Sequence, residues 1–271
     1  MRHFLARILC SLKSARMGYA SPLEKNLNIG ERLGYEMEDE ATEYIRLVKR
    51  NTMLSKRRLV TLYQQAVYCE EFEIPGSFVE CGVWKGGAMG IMALANLRKG
   101  RTRRRLHLFD AFQDICEPDA AVDGNRAVQE VGRVASRARR DQGKLEPVVG
   151  FYDEFGGPGT LEENRRLLEQ EIRYPADHIF YHVGWFQHTI PAERDGIGPI
   201  AILRLDGDWY ASTKVCLENL CDKVVPGGVV IIDDYGTYDG CKRAVDEYLR
   251  EKKVPIYLAP IDSDCRFFVK H

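Results

Sequence analysis

Two stretches, IAILRLDGDWY (residues 200–210) and GGVVIIDDYG (residues 227–236), are built alike. Each opens on an apolar run and ends in two acids, and a helix-length segment separates them. A continuous apolar run suits a strand buried on both faces of a parallel sheet and joined to the next strand by a helix. The pattern extends outward. SFVECG (77–82), RLHLFD (105–110) and DHIFYHVG (177–184) read as earlier strands, and VPIYLAP (254–260) as a later one. GGAMGIMALANLR (86–98) and the segments 211–223 and 239–252 read as helices between them. The expectation is an α/β fold with a mostly parallel sheet and helices on both faces. Such sheets bind ligands beyond the carboxyl ends of their strands, where these acids stand.

A length of 271 residues suits one large domain with an appendage. The formal net charge of −1 provides no global field to favour nucleic acid. The basic run RKGRTRRRLH (98–107) reads as a solvated helix end. Cys10, Cys69, Cys81, Cys116, Cys216, Cys221, Cys241 and Cys265 include no CxxC pair, so free thiols in a reducing, cytoplasmic compartment are expected. No apolar run reaches the roughly 18 residues of a membrane span, so no membrane partner is expected.

Residues 1–50 read as an N-terminal helical arm and 51–271 as the main domain. Within the arm, MRHFLARILCSLKSAR is an amphipathic segment that docks on the body or on a partner subunit, and MEDEATEYIRLVKR (37–50) starts acidic and ends basic as a helix dipole favours. SKRRLVTLYQQAVYCEEF (55–72) puts Leu59, Leu62, Tyr63, Ala66 and Val67 near one helical face. The interval 111–176 is long for a connection. It holds one helical stretch and the Gly-rich GFYDEFGGPGT (150–160), and reads as a lid over the site.

ECGVWKGG (80–87) is strand, turn and helix start. Gly82 permits a tight turn, while Gly86 and Gly87 let a helix begin against a ligand. An acid at the strand end, Glu80, repels a pyrophosphate but suits a cationic ligand such as S-adenosylmethionine, which carries a sulfonium and an ammonium. Asp110 ends the next strand, where an acid accepts ribose hydroxyls of a nucleoside cofactor. That feature fits a nicotinamide cofactor equally. HVGWFQHTIP (182–191) leaves its strand with a glycine and an aromatic, placed to flank an adenine.

Asp206 and Asp208 end one strand, and Asp233 and Asp234 end the next. Adjacent strand ends lie about 5 Å apart, so these carboxylates repel and raise one another's pKa. A hard divalent cation removes that cost, and magnesium takes oxygen ligands. Helix capping accounts for one or two of these acids but not the set.

Taken together, FVECGVWKGGAMG, VGWFQHTIP, LRLDGDWYASTKVCLENL, GGVVIIDDYG and GCKRAVDEY resemble the macrocin O-methyltransferase family over about residues 50–250. NTMLSKRRL (51–59) is similar to the segment preceding that family's core. The resemblance implies a class I methyltransferase (Rossmann-like) sheet with a final antiparallel strand, here CRFFVK (265–270). It implies S-adenosylmethionine as methyl donor, contacted by Glu80, Cys81, Gly82, Val83, Gly86, Asp110, Gly184 and Trp185. It implies Mg2+ on Asp206, Asp233 and Asp234, with Asp206 as general base. Asp208 is the alternative base, and His188 a lesser one. It also implies a homodimer or higher homo-oligomer and an acceptor that is a hydroxyl on a sugar or glycosylated natural product. A catechol or vicinal diol is the runner-up acceptor. A non-catalytic binding protein of the same fold is the reading from another class. The chain has DAFQD (110–114) and QHTIP (187–191) where the family commonly has DTFEG and an acid before TLP.

Overall fold

The computed structural model describes residues 27–134, 145–253 and 255–271. Helix α1 (Glu38–Val48) carries three acids in its first turn and Arg46 in its last, as its dipole favours. Ser55 caps helix α2 (Lys56–Glu71) by accepting from the Arg58 amide. Strand β1 (Ser77–Cys81) then leads through the glycine turn into helix α3 (Gly87–Lys99). Strand β2 (Leu106–Asp110) precedes the insert, which holds helices α4 (Gly124–Val134) and α5 (Leu161–Arg165). Strand β3 (Ile179–Val183), helix α6 (Phe186–Ile197), strand β4 (Ile200–Leu205) and helix α7 (Tyr210–Leu220) follow. Strand β5 (Val224–Ile232), helix α8 (Asp239–Lys252), and strands β6 (Ala259–Pro260) and β7 (Arg266–Val269) complete the order.

Among the described residues, seven strands form one sheet in the order β3-β2-β1-β4-β5-β7-β6. The first five are parallel, and β7 runs antiparallel to both β5 and β6. This is the class I methyltransferase sheet, with the reversed strand expected at CRFFVK. Chain direction across the sheet switches between β1 and β4, so a crevice opens beyond their carboxyl ends.

Strand side chains alternate between two cores. Phe78, Leu108, Ile202 and Ile231 face α1, α2 and α3, where Ile45, Leu59 and Met92 meet them. Val79, Phe109, Leu203 and Val230 face the other layer, with Ile190, Leu217 and Val245 from α6, α7 and α8. The same period continues into the polar ends. Glu80, Arg204, Asp206 and Asp233 fall in step with the first set, and Asp234 with the second.

Two expectations change in the structure. Among the described residues of VPIYLAP, only Ala259–Pro260 joins the sheet. Its two prolines lack the amide that a strand donates, so the segment is left at the outer edge. The helix expected from residue 117 begins only at Gly124, because Asp119 and Asp123 first form a turn in which the Asp123 carboxylate accepts from the Asp119 amide. The expected arm up to residue 26 lies outside the described residues. Residues 38–48 belong to the body, burying Ala41, Ile45 and Val48. All seven described cysteines are free and buried. Among the described residues no helix is long and apolar enough to cross a membrane.

Candidate active site

Two adjoining cavities open beyond the carboxyl ends of β1, β2, β4 and β5. The first is lined by Gly82, Asp110, Ala111, Gln113, Trp185, Phe186 and Gln187, among others. The second is acidic, with Asp206, Asp208, Asp233, Asp234, Arg58 and Asp264 on its walls. Gly82, Asp110, Tyr152, Asp206 and Asp208 line both, so the two spaces meet there.

Asp110 organises the first cavity. Its Oδ2 accepts from the amides of Val83 (2.6 Å) and Trp84 (3.0 Å), and its Oδ1 from Phe112 (2.7 Å). Trp84 and Phe112 both hold left-handed backbone, φ 47° and 52°. Bulky residues adopt that region only when their surroundings impose it, at a cost of about 1–3 kcal/mol each. Burial raises the Asp110 pKa against these amides. Each carboxylate oxygen has two acceptor sites, which leaves room for a ribose hydroxyl.

Asp206, Asp208 and Asp234 place one oxygen each within 4.8 Å of one another. Asp208 reaches this position through left-handed backbone at φ 56°, after Gly207. Desolvation raises all three above the ordinary carboxylate range; Asp206 is raised against the pull of Arg204, and the neighbouring acids push Asp208 and Asp234 well above it. Asp234 Oδ2 is buried with no hydrogen-bond partner. Three convergent carboxylates, one with an orphaned oxygen, are a donor set that fits a hard divalent cation.

Asp233 is used differently. Its Oδ1 accepts from Arg204 Nη2 and its Oδ2 from Arg58 Nη1, both at 2.7 Å. Arg58 also grips Asp262, at 2.7 and 3.1 Å. Of the expected Asp206, Asp233 and Asp234, all three line the acidic cavity; Asp206 and Asp234 converge with Asp208, while both oxygens of Asp233 accept from arginines.

Other expected residues also stand apart. Glu80 is fully buried and lines neither cavity; its Oε1 accepts from Arg204 Nη1 at 2.7 Å. Burial pushes its carboxyl up to about 8, against the pull of Arg204. Cys81, Val83, Gly86 and Gly184 shape the turns without lining either space, whereas Trp185 lines the first. His188 is exposed on α6 and lines neither cavity.

The Gly-rich segment docks on the turn after β1. Trp84 Nε1 donates to Gly157 O (3.2 Å), Lys85 Nζ to Gly156 O (2.8 Å), and Asn164 Nδ2 to Trp84 O (2.7 Å). A Cβ on Gly159 would lie 1.9 Å from Trp84 O, so this position requires glycine. Phe151, Tyr152 and Phe155 thereby wall the acidic cavity. On the other side, the Asp123 carboxylate accepts from the Tyr210 amide at the start of α7 (2.6 Å), and Tyr238 donates to Glu130 of α4 (2.6 Å).

The sequence reading passed over Arg58, Arg204 and Tyr152. A single arginine inside the apolar run AILRL signals Arg204. Nothing local marks the other two.

The profile of the family described as Macrocin-O-methyltransferase (TylF) matches residues 24–141 and 169–270. The chain is 35% identical over 220 residues to the 8-demethyl-8-(2,3-dimethoxy-alpha-L-rhamnosyl)-tetracenomycin-C 4'-O-methyltransferase of Streptomyces olivaceus, covering 79% of this chain and 73% of that protein. It is 35% identical over 218 residues to the demethyldecarbamoylnovobiocin O-methyltransferase of Streptomyces niveus, with the same 79% and 73% coverage. Among solved structures, the O-methyltransferase NovP superposes with a TM-score of 0.62 at 30% identity, covering 81% of this chain and 82% of that one. The interval between the two profile matches contains the Gly-rich wall of the acidic cavity.

Proposed function

The chain belongs to the macrocin-O-methyltransferase family, and from that premise we propose that it methylates a hydroxyl of a sugar or glycosylated small molecule with S-adenosylmethionine and Mg2+. The observation that carries this reading is the junction of the two cavities at Asp206 and Asp208. In it, Asp110 and the turn of Gly82–Trp84 hold the nucleoside, and Trp185 flanks its base. Asp206, Asp208 and Asp234 hold the cation; Asp233 joins them only by sharing an oxygen with an arginine. When bound, the sulfonium supplies an electrophilic methyl group and the cation lowers the pKa of the acceptor hydroxyl.

The chain's own side chains do the rest. Asp206 or Asp208, both lining the junction, takes the hydroxyl proton at a carboxylate oxygen. Holding both reactants at one junction aligns the reacting atoms. Phe151, Tyr152 and Phe155 exclude water from the acidic cavity. The similarity to an enzyme named as a rhamnosyl-tetracenomycin-C 4'-O-methyltransferase supports a sugar hydroxyl as acceptor. We also read the molecule as a homo-oligomer, which its mass in solution tests.

The decisive experiment is a methyl-transfer screen of deoxysugar glycosides and catechols, read by mass spectrometry with and without chelator. Chelator-sensitive methylation of a glycoside is the expected result. Methylation of catechols alone would move the acceptor class, and methylation unaffected by chelator would remove the cation.

A further inference from the structure

Arg204 lies between Leu203 and Leu205 in a wholly buried strand. A guanidinium there stays charged, so it has to be paired. It is paired three times, across three adjacent strands. Nη1 donates to Glu80 Oε1 (2.7 Å) and Asp206 Oδ2 (2.8 Å), and Nη2 donates to Asp233 Oδ1 (2.7 Å). The register makes this possible. Glu80, Arg204 and Ile231 are direct neighbours across β1, β4 and β5. Asp206 and Asp233 follow Arg204 and Ile231 by two residues, which returns them to the same face. One planar fork thus reaches all three carboxylates.

We propose that Arg204 is the positioning residue of the carboxylate cluster and that Glu80 is its anchor. The inference rests on reading Asp206, Asp208 and Asp234 as a cation site. Arg204 takes one oxygen of Asp206 from behind and fixes the carboxylate plane, so the other oxygen is set toward the front. It also ties up Asp233, so that repulsion from Asp233 does not push Asp206 out of line. Glu80, which lines neither cavity, sets the angle of the fork. The motif position of Glu80 at the end of β1 thereby serves the cation and not the cofactor. Outer-shell groups of this kind are typically worth 10–100-fold in metal affinity.

The test uses the full-length protein and Mn2+ as the probe. Mn2+ binding is followed by calorimetry and electron paramagnetic resonance, and S-adenosylmethionine binding by calorimetry. Arg204→Lys keeps the charge and loses the fork. We expect it to weaken Mn2+ binding about 10-fold or more, with an altered resonance line shape and cofactor affinity within about twofold of the parent. Glu80→Gln is close to isosteric and covers the case in which Arg204→Lys fails to fold. It should weaken Mn2+ binding less, in the same direction, with cofactor affinity unchanged. Parent-like Mn2+ affinity and line shape in both variants would overturn the proposal, as would a Glu80→Gln variant that loses cofactor affinity and keeps Mn2+. A parent protein that binds no Mn2+ would instead remove the cation reading itself.

Discussion

A Cβ placed on Gly82 would fall 1.8 Å from the carbonyl oxygen of Asp206, and Gly82 itself sits at φ +88°. The turn after β1 and the end of β4 are therefore in backbone contact, with Asp206 N donating to Cys81 O at 2.8 Å. Gly82→Ala faces both a collision with main chain and an unfavourable φ. It should cost about 1–3 kcal/mol or more and abolish cofactor binding. Denaturant midpoints and calorimetry check this; parent-like values in both would contradict the geometry.

Asp110→Asn keeps the shape of the side chain but removes its charge and one acceptor oxygen. Val83, Trp84 or Phe112 then loses a charge-assisted bond. S-adenosylmethionine affinity should fall by roughly 1–3 kcal/mol. Unchanged affinity in a calorimeter would place the cofactor elsewhere.

Asp208→Asn and Asp233→Asn should separate cleanly. The first removes an oxygen from the convergent trio and should lower cation affinity with little loss of stability. The second leaves Arg58 or Arg204 without a full partner in a buried setting, and should cost about 3 kcal/mol of stability. Paired measurements of metal binding and thermal unfolding decide it. If Asp233→Asn instead loses the cation at normal stability, Asp233 is the ligand and Asp208 is not.

His107 and His182 provide a pH dependence of stability. His107 Nδ1 lies 3.0 Å from His182 Nε2, and His107 Nε2 is buried without a partner. Burial first, then His182 and Arg105, push the His107 imidazole down to about 3; burial lowers His182 too, against Glu193. The unfolded chain binds a proton at His107 below about pH 6.5 while the folded one does so only near pH 3. Stability is therefore complete above about pH 6.5 and falls as pH drops toward 3, with a limiting slope of about 1.4 kcal/mol per pH unit from His107; His182 acts in the same direction. Urea midpoints at pH 7.5 and pH 5.5 should show a smaller drop for His107→Phe than for the parent. Identical drops would mean that other groups control the acid limb.

Gly159→Ala tests the docking of the insert. The added methyl group has no room beside Trp84 O, so the Gly-rich wall must lift from the turn after β1. We expect faster proteolysis around residues 150–160 and a raised KM for the acceptor, while thermal unfolding of the body changes little. A protease-resistant variant with parent KM would show that the wall can be redocked freely.

Periodicity carried the sheet. Apolar runs and their spacing placed β1 to β5, α3, α7 and α8 within three residues, because these segments are buried by simple periodicity. The final strand was expected from the resemblance alone, since RFFV is too short to announce its direction. The acids at the strand ends were legible for the same reason as the strands. Their arginine partners were not. One of the two that hold Asp233 is Arg58, which meets it from 175 residues away. Tyr152 was hidden because its place at the junction depends on how the insert docks, through Trp84, Lys85 and Asp114, and not on a local pattern.

Arg58 joins the first turn of α2 to Asp262, 204 residues later in the chain, in the turn that leads into β7. During synthesis every parallel strand leaves the ribosome before that turn does. The sheet can pair and its helices can pack, but the acidic cluster then lacks the grip that ties Arg58 in place. A nascent chain halted after α8 would hold Asp206, Asp208, Asp233 and Asp234 close together with one of their two arginine counter-charges untethered. Assembly of the catalytic end is thus a late event, and a contact of such sequence separation is slow to form. Refolding followed at the cofactor cavity should lag behind refolding followed by backbone signal.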